Sequence, residues 1–372
     1  MTRARGRWSR AVAVAVVVAA MSVTACTTDA GGASNSGAPD KVTLDSMKAV
    51  TTFPGPTEVF TPAAGKHIMI LVCGNVGLGC VRTGGAAKEA AQAMGWTADV
   101  VDGRLDPTVW NRAVKQAVDS GVDGIISVGA NPNLMGEGMT AVAAKNVPFV
   151  ITSQSPQKGD LPGVDSWIRP DAVKGGNDIG KWIAGDSDGA GNVLVIDTPE
   201  YADSMMRNDS IANTLQHDCS GCTVERLAIS TQTMGTSLAQ TVTSQLQQHP
   251  DLTYVWSPDD ALSNFVAQGI QQAGKSTSVK LVSGAGAPEA LARLQTGLQA
   301  ADLATPDTYL GWLAADSLAR VISGQPVQEV VDVPQRFFTA ANINDGATEI
   351  SKVGWNMEFD YKSDFKKLWG VK

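Results

Sequence analysis

Between residues 66 and 300 short apolar runs alternate with amphipathic stretches, and each change of period falls at a glycine-rich or polar turn. The run His67-Ile-Met-Ile-Leu-Val72 empties into Cys73-Gly-Asn-Val-Gly-Leu-Gly-Cys80, the pattern of a buried strand followed by a glycine-rich turn. From 84 to 96, Ala86, Ala87, Ala90, Ala91 and Met94 recur at helical spacing, with Lys88, Glu89 and Gln92 on the other side. That spacing predicts an amphipathic helix packed on its strand. The unit repeats as strand 97–102, helix 107–120, strand 124–128, helix 134–145 and strand 148–152. A second series begins near Asp171, which reads as the N-cap of a helix running to 185. Strands at 192–197, 223–229, 253–257 and 278–283 then alternate with helices at 204–217, 236–249, 261–273 and 287–296. Strict alternation predicts an α/β chain of two doubly wound parallel-sheet lobes with a cleft between them. Ligands of such sheets bind outside the carboxyl ends of the strands, which makes 73–80 the first wall of a site.

A chain of 372 residues exceeds a usual single core, in agreement with two lobes. The net charge of −8, with no clustered Lys/Arg face, argues against nucleic acid. Residues 1–26 stand apart from the fold. Arg3, Arg5, Arg7 and Arg10 form a basic head, 11–20 an apolar stretch too short to span a bilayer, and Val23-Thr-Ala-Cys26 a small-residue cleavage site, as in an export signal. The Gly/Ser/Ala-rich stretch 27–39 reads as a tether. Beyond Cys26, the chain has Cys73, Cys80, Cys219 and Cys222, an even number in an exported chain, where disulfides persist. Of three possible pairings, Cys73 with Cys80 and Cys219 with Cys222 is favoured because each pair lies within one turn region. The rival for Cys219-Ser-Gly-Cys222 is a redox motif. That device needs its first cysteine at a helix N-terminus, whereas here it follows a helix, whose C-terminus repels a thiolate.

Three spellings that resemble catalytic or ligand motifs fail on context. Gly185-Asp-Ser-Asp-Gly189 lies between a helix and a strand, not on the strand-to-helix turn of a nucleophile elbow. Asp186-x-Asp188-x-x-Gly191 places Ala190 at a calcium-ligand position. Gly74-x-x-Gly77-x-Gly79 lacks the dinucleotide spacing. His67, His217 and His249 form no metal or acid-base group, so neither a cofactor nor an enzymatic activity is expected.

The signal ends on Cys26 rather than on an Ala-x-Ala site and so resembles the bacterial lipoprotein signal, which implies an acylated Cys26. The protein would then sit at the outer face of the cytoplasmic membrane, held by lipid alone. Gly84-Gly-Ala-Ala-Lys-Glu-Ala90, Asp102-Gly-Arg-Leu-Asp-Pro107, Gly121-Val-Asp-Gly-Ile-Ile126, Val147-Pro-Phe-Val-Ile151, Gln248-His-Pro-Asp251 and Ala301-Asp-Leu-Ala-Thr-Pro-Asp307 fall in an order similar to that of the ribose- and galactose-type periplasmic binding proteins, the solute receptors of ABC importers. The resemblance spans about 66–335. It implies a type I fold with a three-segment hinge crossing near 154–170, 284–286 and 304–308. The implied partition is signal 1–26, tether and arm 27–63, an N-terminal lobe of 64–168 plus 305–333, a C-terminal lobe of 169–304 plus 334–350, and a tail 351–372. A monomer, a small-molecule solute and an ABC permease as partner are also implied, with a ligand sensor for a signalling partner as the alternative.

Carried over position by position, the resemblance places ligand contacts in the turns after strands. Asn75 falls where relatives have a polar residue, and Leu78-Gly79 where an aromatic pair stacks on sugar. Ser153-Gln154 replaces an Asp-Arg clamp, while Arg207 and Asp259 match the family's arginine and polar acceptor. Gly284-Ala-Gly286 lacks the usual carboxylate, and Ala304 replaces a glutamine. Fewer charged acceptors mean fewer grips on vicinal hydroxyls, so a less hydroxylated sugar or polyol is expected. Trp256 and Tyr309 are candidate walls; they and Trp167 also suit packing, and Trp110 reads as core. Arg207 also suits a pair with Asp203 one helical turn away, and Asp259 or Asp260 a helix cap. The aromatic tail, Trp355, Phe359, Tyr361, Phe365 and Trp369, reads as a staple onto a lobe.

Overall fold

A strand buried on both faces needs continuous rather than alternating apolar residues. The strands β1 (His67–Val72), β3 (Gly124–Val128) and β4 (Phe149–Thr152) meet that need, with only His67 exposed among them. The computed structural model describes residues 41–157, 159, 161–345 and 354–371; Cys26 lies outside them. With β2 (Thr97–Asp102), β5 (Ser166–Pro170) and β11 (Val330–Val333), these strands form a sheet of order β11-β5-β4-β3-β1-β2, parallel throughout. The second sheet joins β6 (Asn192–Asp197), β7 (Thr223–Ala228), β8 (Tyr254–Ser257), β9 (Lys280–Ala285), β10 (Ala301–Ala304) and β12 (Arg336–Thr339) in the order β12-β10-β9-β8-β6-β7. Only β12 in it is antiparallel to its neighbour.

Helices cover both faces of each sheet. In the first lobe, α1 (Leu78–Ala93) and α9 (Asp307–Ile322) pack on Ile68, Ile70 and Val72. On the opposite face α2 (Pro107–Ser120) and α3 (Gly136–Lys145) cover Met69 and Leu71. Trp110 is core, as expected, its Nε1 donating to the Cys73 carbonyl at 2.9 Å. In the second lobe α4 (Ala172–Asp186) and α5 (Ala202–Asp218) lie on one face, α6 (Met234–Gln248) and α7 (Asp260–Gln272) on the other, with α8 (Pro288–Gln295) following β9. Asp171 caps α4 by accepting from the Lys174 amide.

Two expectations are corrected. The sequence reads as turn through Cys80 and helix from Gly84, but α1 begins at Leu78. Gly84 is there for contact rather than for a turn: a Cβ at that position would lie 2.3 Å from Val72, so the helix lies almost backbone-on-strand. The crossing expected at 284–286 is absent, because β9 and α8 both belong to the second lobe. The chain passes between lobes after β5, after β10 and between β11 and β12.

Two further segments touch both lobes. In the N-terminal arm Leu44 joins the second lobe's core, while Phe53 and Phe60 join that of the first. In the tail, Trp355 packs with Leu291 and Phe338 of the second lobe. The helix that follows it, α10 (Tyr361–Trp369), lies on α9, with Trp369 stacked on Trp312 at 5.4 Å between ring centroids. The disulfides are Cys73–Cys80 and Cys219–Cys222; the second ties the end of α5 to the approach to β7.

Candidate functional site

In both sheets the strand order reverses beside the first strand of the lobe, between β1 and β3 and between β6 and β8. Such switch points open a crevice at the carboxyl ends of the strands. The residues just past those four ends, Cys73, Gly129, Thr198 and Pro258, line one cavity of about 170 Å³ between the lobes. That is below the roughly 300–1,000 Å³ of sites for drug-sized ligands, which limits it to a single small ring or chain.

The polar lining comes mostly from the second lobe. Arg207, on the second turn of α5, donates through Nη1 to the Pro258 carbonyl at 3.3 Å, while its Nε has no protein partner. Burial weakens its hold on the proton, an effect opposed by Asp203 and Asp259. Asp203 is 4% exposed, and neither carboxylate oxygen makes a well-formed hydrogen bond, Ser155 being its hydrogen-bonding neighbour. Burial pushes its pKa up, against the pull of neighbouring Ser155, Arg207 and Arg169. No hydrogen bond joins it to Arg207, so the alternative role of Arg207 as an intrahelical partner of Asp203 is not taken up. Asp259 caps α7 by accepting from the Ala261 amide at 2.7 Å and also faces the cavity; burial raises its pKa as well. At the hinge Asp307, 3.4 Å from Arg82 Nη1, is pushed up to about 6, chiefly by burial and against the charge of Arg82. Its Oδ2 accepts no hydrogen bond.

A buried polar atom left unpaired costs about 1–3 kcal/mol, and here several converge on one cavity. The carboxylates of Asp203 and Asp307 accept protons from hydroxyls, and the Arg207 guanidinium donates to oxygen. The first lobe's share of the lining is different. It carries the Cys73–Cys80 disulfide, Leu105 and glycines 77, 79 and 129.

Two wall residues hold unusual backbones. Ser153 has φ 59° and Ala285 φ 135°, conformations that cost on the order of 1–3 kcal/mol and persist only where surroundings impose them. Under Ala285 the imposing group is a buried carboxyl pair. Asp302 accepts from the Gly286 amide at 3.0 Å, Asp260 from the Ala287 amide at 2.7 Å, and the Ser283 hydroxyl lies within 3.0 Å of both. Burial and the neighbouring Asp302 hold Asp260 well above the ordinary carboxylate range.

Of the residues singled out in the sequence, Ser153, Arg207 and Asp259 line the cavity. Asn75 and Leu78 line an outer groove that continues from it. Gln154 is buried away from the cavity, its Nε2 donating to the Gly129 carbonyl at 3.1 Å, and so shapes the wall from behind. Trp256 and Tyr309 are not walls. Trp256 is a core residue whose Nε1 donates to Asn208 at 2.7 Å; Tyr309 packs among Phe53, Tyr361 and Phe365. Sequence reasoning missed Asp203, Tyr201 and Asp307. Asp307 stood inside a quoted motif, but its nearness to Gly79, where a Cβ would come 3.5 Å from its carboxylate, exists only once the chain is folded.

Residues 80–326 match the family model described as the periplasmic binding protein domain. The ribose import binding protein RbsB of Bacillus subtilis is 22% identical over 255 residues, covering 68% of this chain and 81% of that protein. Its Escherichia coli counterpart is 23% identical over 245 residues, 66% and 80%. Among solved structures, an Agrobacterium vitis ABC transporter solute binding protein with bound D-fucose superposes with TM-score 0.71 at 16% identity, covering 78% of this chain and 100% of that one. One from Mycobacterium smegmatis with bound glycerol gives 0.69 at 20% identity, with 78% and 100% covered. Two parallel-sheet lobes with facing switch points, and a family match over two thirds of the sequence, make this chain a member of the periplasmic binding protein domain family, of the ribose/galactose type.

Proposed function

We propose that the protein is a solute receptor that closes on one small sugar, polyol or less hydroxylated sugar-like compound in the interlobe cavity and delivers it to an ABC permease. Its place would be the outer face of the cytoplasmic membrane, where an acylated Cys26 holds a protein that works as a monomer and needs no cofactor. The observation that carries the reading is the set of buried polar groups around one cavity that lack a well-formed hydrogen bond, the Asp203 carboxylate, Arg207 Nε and Asp307 Oδ2, the last held only by its ion pair with Arg82, since a polyhydroxylated ligand satisfies both acceptors and donor. The names of the relatives, which include ribose import proteins and proteins crystallised with D-fucose and glycerol, support the solute class. Among the described residues no helix is long and apolar enough to cross a membrane, in keeping with attachment by lipid.

A thermal-shift panel of monosaccharides, deoxy sugars and polyols on the mature protein tests this. The expected result is a concentration-dependent rise in Tm with at least one member, shifted to higher concentration in Arg207→Ala. A flat panel would sink the reading. Fractionation of cells expressing Cys26→Ser tests the anchor: the variant is released or left unprocessed, and unchanged retention would contradict lipidation.

A further inference from the structure

The cavity lining is of two chemical kinds. One is the charged string Asp203, Arg207, Asp259 and Asp307. The other is apolar: the Cys73–Cys80 disulfide and Leu105 from the first lobe, joined across the cleft by Met234 of the second, with the Tyr201 hydroxyl turned to Thr231 beside it. Tyr201 and Met234 pack against the same hydrophobic cluster that holds Cys73 and Leu105, so this side is continuous from lobe to lobe. Glycines keep the sulfur atoms uncovered there. A Cβ at Gly77 would fall 3.0 Å from Cys73 Sγ, and one at Gly129 would fall 2.9 Å from Cys80 Sγ. The apolar side also reaches the mouth, because Leu105 and Met234 line both the inner cavity and the outer groove.

We propose that the solute is two-sided, with hydroxyls along the edge that meets the charged string and an unsubstituted or methyl-bearing carbon edge that rests on the disulfide, Leu105 and Met234. The class is a deoxy sugar or deoxy polyol. The inference rests on the cavity being the solute site. A disulfide, a leucine and a thioether offer no strong hydrogen bond, so a hydroxyl on that edge loses its water without replacement, which disfavours it by about tenfold. A methyl or methylene at the same place gains contact with polarisable sulfur.

The test is isothermal titration of the mature protein with matched pairs that differ by one hydroxyl: D-fucose and D-galactose, L-rhamnose and L-mannose, 2-deoxy-D-ribose and D-ribose. In any pair that binds, the deoxy member is expected to bind at least about tenfold tighter. Met234→Gln, at a half-buried position, and the double variant Cys73→Ser/Cys80→Ser should bring that ratio towards one. Arg207→Ala should weaken both members alike and leave the ratio standing. A hydroxylated member that binds as well as its deoxy partner, or a ratio unmoved by Met234→Gln, overturns the proposal, as does binding in none of the pairs. If the two members bind equally and both are weakened in Arg207→Ala, solute capture stands and the two-sided ligand alone falls. If none of these sugars and nothing in the wider panel binds, both fall.

Discussion

Arg207 and Asp203 sit one turn apart on α5, yet each keeps its polar atoms free of the other. Hydrogen bonds to a charged group contribute about 1.5–3 kcal/mol. Arg207→Ala and Asp203→Asn are therefore each expected to weaken binding of a panel sugar by roughly 10- to 100-fold, with little change in the far-UV circular dichroism; titration calorimetry checks both. Asp307 has a different signature. Its carboxyl is pushed up to about 6 from an ordinary value of 3.8, so between those values the folded chain keeps a proton that the unfolded chain has released. Its contribution to stability is intact below about pH 4, declines as the pH rises to about 6, and stays lost above. Asp307→Asn should remove that loss, raising stability at pH 8 by up to roughly 3 kcal/mol and changing little at pH 4. Arg82 keeps acceptors in the Gly286 and Trp355 carbonyls and in Asn356. Tm measured from pH 4 to 8 for both proteins decides it; equal Tm values at pH 8 would refute it. Arg207 and Asp259 were legible because they sit at motif positions. Asp203 was not, because its role depends on which way one helix turn faces once two lobes meet.

The contact between α1 and α9 determines whether the cavity floor can form. Gly311 on α9 meets α1 so closely that a Cβ would lie 2.3 Å from the Thr83 carbonyl and 2.6 Å from the Ala87 amide. Those neighbours are backbone and cannot rotate away. Gly311→Ala is expected to destabilise by roughly 1–3 kcal/mol through overpacking, readable in urea unfolding as a lower midpoint at unchanged slope. Strands and helices with strong periodicity, such as β1, β6, α2 and α7, were legible in the sequence because burial on two faces or one leaves a pattern. The start of α1 was not: glycines that permit close packing spell the same as glycines that make a turn. Strands β10 (Ala-Asp-Leu-Ala) and β12 (Arg-Phe-Phe-Thr) lack the continuous apolar run that made β4 and β8, equally short, legible. Their pairing is set by neighbours distant in sequence.

At the scale of the molecule, two α/β lobes and their order followed from alternation. The implied hinge named a crossing at 284–286 that does not exist, although the implied partition changes lobe between 333 and 334, where the passage between β11 and β12 spans only Pro334 and Gln335. Behind the hinge, Glu358 ties the tail to Arg336 of the second lobe and to the Val50 amide of the arm, while α10 grips α9 of the first. Replacing Trp355, the tail's anchor in the second lobe, by alanine is expected to cost about 3–5 kcal/mol. Small-angle scattering of that variant should show a larger radius of gyration than the wild type without added sugar. An unchanged radius would mean that the tail restrains nothing.

Arm and tail, lying across both lobes, make opening a stretch as well as a rotation, so the work of parting the lobes should climb steeply with angle. With so short a swing, a bound solute would leave through a narrow slit. How long a solute stays aboard then depends on its girth as much as on its grip, and a bulky ligand that fits the closed cavity should be the slowest to leave.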